Sequence, residues 1–217
     1  LLPQAQYNPG SGKKYRKAVT IPSSYKKLFE NNRTWVEGKK RGDKDYFSRL
    51  SKGQKPEFFL IGCSDSRVSP DLITGADPGV LFIHRNIANL AVHTDLNFLS
   101  ALQYAVEVLR VKHVVVKGHY YCGGVRAAMA DDYYGLIDNW LMNIRDVIRL
   151  HEEELSAITD EEQRFRRLVE LNVIEQVKNV RGTSVMQKAI RNGTAPQVHG
   201  WVYDLHEGLL KDLEVSQ

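Results

Sequence analysis

Four short apolar runs, at residues 58–61, 80–84, 114–116 and 198–203, recur along the sequence, and helical patterns fill the intervals between them. Strands that alternate with helices and return to one sheet run mostly parallel, so the alternation predicts an α/β fold. The expected architecture is a single domain with a mainly parallel central β-sheet flanked by helices. Leu96, Leu99, Leu102, Val106 and Leu109 form one apolar stripe, with Thr94 as the expected N-cap of a helix running to Arg110. Ile137, Trp140, Leu141, Ile144 and Ile148 repeat at helical spacing, and Thr159 with Glu162 reads as a capping box for a helix reaching about Arg181. Tyr25, Leu28, Phe29, Trp35 and Val36 give a helical N-terminal arm, followed by a short helix that Asp43 is expected to cap and that ends near Gly53. Residues 1–22 carry Pro3, Pro9, Gly10, Gly12 and Pro22 without a sustained period and read as an extended basic arm, leaving residues 23–217 as the domain.

Charge narrows the partners. The net +4 arises from 30 Lys and Arg against 26 Asp and Glu, and residues 1–29 hold six bases and no acid. The remainder has 24 bases against 26 acids, so its body is not a natural binder of nucleic acid. No apolar run approaches the roughly 18 residues of a membrane span. Two cysteines are too few for a secreted disulfide scaffold of this length, which favours a reducing compartment and a metal or redox role for the thiols. The sequence starts at Leu1, and its acid-free leader fits the stub left by a removed targeting segment. The expected location is intracellular, in the cytoplasm or in an organelle such as a mitochondrion or chloroplast.

Two segments each follow a buried strand directly: Cys63-Ser64-Asp65-Ser66-Arg67 and His119-Tyr120-Tyr121-Cys122-Gly123-Gly124. Ligands of open α/β sheets bind outside the carboxyl ends of the strands, where these segments can converge. Two thiolates and an imidazole suit zinc, and three protein ligands are what a catalytic zinc uses when its fourth position stays open. Asp65 is the nearby residue that could close that position. Spacing alone leaves packed or solvated Cys and His residues as the competing reading. A redox pair is less attractive, because Cys63 and Cys122 lack a Cys-x-x-Cys motif.

The combination Cys63-x-Asp65-x-Arg67 and, 56 positions on, His119-x-x-Cys122-Gly123-Gly124 resembles the β-class carbonic anhydrases, in their bacterial-like branch. The resemblance extends through Arg85-Asn86-Ile87-Ala88-Asn89 and His199-Gly200-Trp201-Val202-Tyr203, and covers roughly residues 25–214. It implies a lyase that hydrates carbon dioxide reversibly to bicarbonate and a proton through zinc-bound hydroxide. The metal ligands would be Cys63, His119 and Cys122, joined by Asp65 in a closed state only. Asp65 and Arg67 would form the catalytic dyad, with Arg67 holding the carboxylate off the metal. Gly123 and Gly124 would offer backbone N–H groups to substrate. The family works as dimers or dimers of dimers, so a homodimer or homotetramer is implied. Some relatives bind a regulatory bicarbonate through Trp, Arg and Tyr; the matching positions here are Leu60, Arg85 and Tyr203. Arg85 and Tyr203 make a candidate anion site without its indole donor, which implies weak or absent bicarbonate inhibition. Two alternatives accompany this reading: hydrolysis of carbonyl sulfide or carbon disulfide on the same scaffold, and a zinc-stabilised interaction protein in which Asp65 permanently completes the metal shell.

Overall fold

The computed structural model describes residues 23–215, so the basic arm expected at residues 1–22 lies outside the described residues. The chain divides into two compact units, one ending at Ser51 and the other beginning at Lys52. In the first, α1 (Ser23–Gly42) and α2 (Tyr46–Leu50) bury no side chain fully. Tyr46 lies edge-on to Trp35 at 6.3 Å and to Phe47 at 5.0 Å, while Phe47 lies edge-on to Trp35 at 5.4 Å. Asp43 does not cap α2. Asp45 occupies the N-cap position without a side-chain bond, and Asp43 accepts from the Asp45 amide and pairs with Arg49 instead.

The second unit is the expected α/β domain. Its strands β1 (Phe58–Cys63), β2 (Leu81–Asn86), β3 (His113–His119), β4 (Gln197–Tyr203) and β5 (Leu210–Asp212) lie in the order β2-β1-β3-β4-β5. All neighbours are parallel except β4 and β5. The short antiparallel β5 carries no apolar run, Leu-Lys-Asp, and gives no periodic signal in the sequence. The first strand runs past the apolar residues 58–61 to Cys63, and β3 runs past 114–116 to His119, so two of the proposed ligands terminate strands.

The helices are α3 (Pro70–Thr74), α4 (Leu96–Gln103), α5 (Gly123–Met129), α6 (Ile137–Leu150), α7 (Glu152–Ser156), α8 (Glu161–Gly182) and α9 (Ser184–Arg191). Two expected caps are displaced by one residue. Asp95, not Thr94, accepts from the Asn97 amide, and Asp160, not Thr159, accepts from the Gln163 amide at 2.7 Å. Both have extended backbone and a carboxylate, which meets the two requirements of an N-cap. Glu162 then pairs outward with Arg126 at 3.0 Å. The stripe from Leu96 to Leu109 is also broken: α4 continues as a π-helical segment, Tyr104–Leu109, ending at Arg110 with φ 54°. The wider turn carries Ala105 and Val106 inward, while Leu96 is left exposed.

The alternation of side chains along parallel strands gives the sheet two distinct faces. Phe59, Ile61, Val114, Val116, Val198 and Val202 share one face and belong to the main core with Phe98 and Leu102 of α4 and Val169, Val173 and Val177 of α8. Gly118 lets α8 approach, since a Cβ there would stand 2.5 Å from Val173 Cγ2. The opposite face carries Leu60, Gly62, Arg85, Val115, Lys117, His199, Trp201 and Tyr203.

Candidate metal centre

β1 and β3 are neighbours, so their carboxyl ends deliver Cys63 and His119 to one place. The chain then turns through Tyr121, whose φ of 61° is left-handed for a residue with a side chain, and returns Cys122 to the N-cap position of α5. The ligand atoms of Cys63, His119 and Cys122 all lie within 4.8 Å of one another, and the three residues are buried. The two Sγ atoms are 3.9 Å apart.

The donor set fits a metal. His119 Nδ1 lies 2.9 Å from the Tyr120 carbonyl oxygen, which can only accept, so Nδ1 carries the proton and Nε2 is left with its lone pair. That Nε2 is buried and has no hydrogen-bond partner, a costly arrangement for a polar atom unless something coordinates it. The amides of Gly124 and Val125 face Cys122 Sγ and the Asp65 amide faces Cys63 Sγ, as donors to thiolates would. The hydrogen bond between the two sulfurs pulls the Cys63 thiol down and pushes Cys122 up. Thiolate, thiolate and neutral imidazole form a soft to borderline set.

Asp65 stands beside this cluster, with Oδ2 3.9 Å from His119 Nε2. Arg67 grips it with three donors: the backbone amide and Nε reach Oδ1 at 2.9 and 3.0 Å, and Nη2 reaches Oδ2 at 2.6 Å. The guanidinium, opposed by some desolvation, holds the Asp65 carboxyl well below the usual range. Arg67 Nη2 also donates to the Tyr121 carbonyl at 3.3 Å, tying the loop after β1 to the loop after β3.

The remaining expected residues separate. Gly124 is a packing requirement, because a Cβ would stand 2.7 Å from Ile87 Cγ2, whereas nothing lies within 4 Å of a Cβ at Gly123. Arg85 donates through Nε to the Cys63 carbonyl at 2.8 Å and through Nη2 to the Asp65 carbonyl at 2.7 Å. Tyr203 is on the same sheet face, but β1 and β3 lie between its strand and that of Arg85. Sequence reasoning missed this Arg85 clamp, the buried Lys117, and the turn at Ile87–Asn89, where Ala88 and Asn89 have φ of 62° and 52°. Asn86 braces that turn by pairing with both the amide and the carbonyl of Leu90 at 2.7 Å, and Asn172 donates to the Ala88 carbonyl. An Asn at each end of the apolar pair Ile87-Ala88 was the available signal.

Known proteins agree with this geometry. A carbonic anhydrase family model matches residues 58–210, from the first residue of β1 to the first of β5, with both ligand loops. A carbonic anhydrase of Emericella nidulans is 52% identical over 203 residues, covering 93% of this chain and 89% of that protein. A tetrameric β-carbonic anhydrase of the ascomycete Sordaria macrospora superposes with a TM-score of 0.85 at 38% identity, covering 90% of this chain and 100% of the other. A Coccomyxa β-carbonic anhydrase, solved with acetazolamide, superposes with a TM-score of 0.85 at 36% identity over 88% of this chain and 87% of its own. Motif, fold and ligand cluster thus coincide on the same residues, and the chain belongs to the β-carbonic anhydrase family of carbonate dehydratases.

Proposed function

We propose that Cys63, His119 and Cys122 hold a zinc ion and that the protein uses it to interconvert carbon dioxide and bicarbonate. The observation that carries this reading is the buried, unpartnered Nε2 of His119 within 4.8 Å of two thiol sulfurs. Zinc so bound supplies a water acidified enough to serve as a nucleophile near neutral pH. Two thiolates leave it formally neutral with its ligands, so the surrounding residues have a large part in orienting the reaction.

Asp65 is the residue for that part. Ionised and 3.9 Å from His119 Nε2, it can accept a proton or a hydrogen bond beside the cluster. Arg67 occupies both carboxylate oxygens, which favours a dyad over permanent closure of the shell by Asp65 and so favours the enzyme over the zinc-stabilised interaction protein. Carbon dioxide has no charge to bind, so apolar surface and backbone donors rather than an ion pair would receive it. Gly123 is the better of the two glycines for a backbone donor to substrate, since the Gly124 amide already faces Cys122.

At the candidate anion site, Arg85 directs Nε and Nη2 to loop carbonyls and Leu60 replaces the indole, so the reading retains weak or absent bicarbonate inhibition. The exposed Tyr25, Leu28, Phe29 and Trp35 of α1 are proposed to pack on a second subunit, consistent with the tetrameric Sordaria relative. Among the described residues no helix is long and apolar enough to cross a membrane. Elemental analysis with stopped-flow carbon dioxide hydration tests the proposal: about one zinc per chain and rapid hydration are expected. Absence of zinc from active protein would overturn it, as would zinc-loaded protein that does not hydrate the gas. Sedimentation as a monomer would overturn the subunit contact alone.

A further inference from the structure

Lys117 sits near the middle of the sheet, one residue from the last two positions of β3, and is only 1% exposed. Its Nζ donates to the Val68 carbonyl at 3.2 Å and lies 5.8 Å from the centre of the Tyr203 ring. No carboxylate pairs with it among the described residues, and burying an amine on such terms is costly. Arg85 on β2 is its counterpart. Arg85 and Lys117 are the register partners of one residue, Gly62 of β1, from its two sides.

Gly62 makes the arrangement feasible. A Cβ there would already stand 3.1 Å from Leu60 Cδ2 and 3.8 Å from Lys117 Cε, so a larger side chain would take the space that the lysine stem now crosses. Both side chains reach forward to the loop that follows β1. Arg85 binds the carbonyls of Cys63 and Asp65, and Lys117 binds that of Val68. The stretch from the first anchor to the last carries a metal-cluster cysteine, the Asp65 carboxylate and the Arg67 that holds it.

We infer that Arg85 and Lys117 form a two-pronged staple across Gly62 that positions the Cys63–Val68 loop, and with it both a metal ligand and the Asp65 carboxylate. Neither touches the reacting atoms, so both are positioning residues, and the inference rests on the zinc reading above. Arg85 is the stronger prong, because its planar fork bridges two carbonyls that a lysine at the same place cannot span together. Lys117 holds the far end of the loop through a single bond.

The test compares zinc-loaded wild type with Arg85→Lys, Lys117→Met and the double variant. It measures kcat and KM for hydration, the rate of zinc loss to a coloured chelator, and thermal unfolding. Arg85→Lys is expected to lower kcat and to speed zinc loss by about 10- to 100-fold each, with KM changed by less than about threefold. Lys117→Met is expected to give about 10-fold, and the double variant less than the product of the two, because both prongs hold one loop. Should Arg85→Lys not fold, Lys117→Met against Lys117→Arg carries the test: the arginine keeps a donor and is expected to restore slow zinc loss. Variants that only melt earlier, with kcat and zinc loss unchanged, would overturn the staple while leaving the zinc reading intact. A wild type that holds no zinc would instead overturn the reading on which the staple rests.

Discussion

The two faces of the central sheet are built from different chemistry. One face presents Phe59, Ile61, Val114, Val116, Val198 and Val202 to α4 and α8 and contributes to the main core. The other buries Leu60 and Val115 outside that core, and adds Arg85, Lys117, His199, Trp201 and Tyr203. The first face is mostly apolar volume, while the second adds side chains with directional bonds. The metal cluster takes one ligand from each: Cys63 continues the row of Phe59 and Ile61, and His119 continues the row of Val115 and Lys117. Where the strands end the faces meet, so the site inherits rigidity from one and polarity from the other.

Breaking the meeting point itself has the largest expected effect. His119→Ala removes the imidazole whose Nδ1 is already oriented by the Tyr120 carbonyl, and two thiols alone cannot complete a three-residue set. Zinc content and hydration rate are expected to vanish together, the rate falling by at least about a thousandfold. Atomic absorption and stopped-flow measurement on the same sample check it. Retained zinc would show that the two faces do not share one metal.

Asp65→Asn separates chemistry from binding. Asparagine is nearly isosteric but uncharged, so the three-donor grip of Arg67 weakens while the ligands remain. Zinc is expected to stay near one per chain and kcat to fall by about 100-fold or more. An unchanged kcat would remove the dyad from the mechanism. Gly118→Ala tests the apolar face instead: a Cβ meeting Val173 Cγ2 at 2.5 Å overpacks the contact between β3 and α8. A loss of about 1–3 kcal/mol is expected, seen as a melting point lower by several degrees. Ligand loss at Gly118→Ala greater than that at Asp65→Asn would mean that the apolar face tunes the metal directly.

The difference between the faces also explains what was legible in the sequence. Apolar runs reveal buried strands, so β1 to β4 are legible and the helices between them give their parallel direction, whereas β5, with Leu, Lys and Asp, leaves no such run and the strand order leaves no sequence signal. Cys63, Asp65, Arg67, His119 and Cys122 were visible because their residue types and spacing carry chemistry. Lys117 was not, and Arg85 read as an anion-site residue rather than a loop clamp, because a cation that ends on backbone carbonyls leaves no complementary residue to find. Gly62, which follows the first apolar run, is a strand residue whose lack of a side chain leaves room for the Lys117 stem. Caps misplaced at Thr94 and Thr159 show the same limit at smaller scale. Adjacent residues, Asp95 and Asp160, offered an equally good acceptor, and only the backbone geometry chose between them.

The smallest expected effect belongs to His84, the ionisable side chain that the apolar face carries away from the strand ends. It pairs in register with Ile61, is buried, and its ring lies 5.9 Å from that of Phe98. Burial pushes its pKa below 6.5, with Asp95 opposing weakly, so the folded protein keeps the imidazole neutral. The unfolded chain binds a proton there as pH falls through 6.5, and the folded chain resists doing so. The unfolded state therefore holds more protons in that range, and stability present above pH 6.5 is lost below it. His84→Leu removes the titration while keeping an apolar side chain against Phe98. The variant is expected to lose less stability than wild type between pH 7.5 and 5.5, a range spanning the ordinary histidine value, in paired denaturant melts. An identical acid dependence would place the titrating group on the polar face instead.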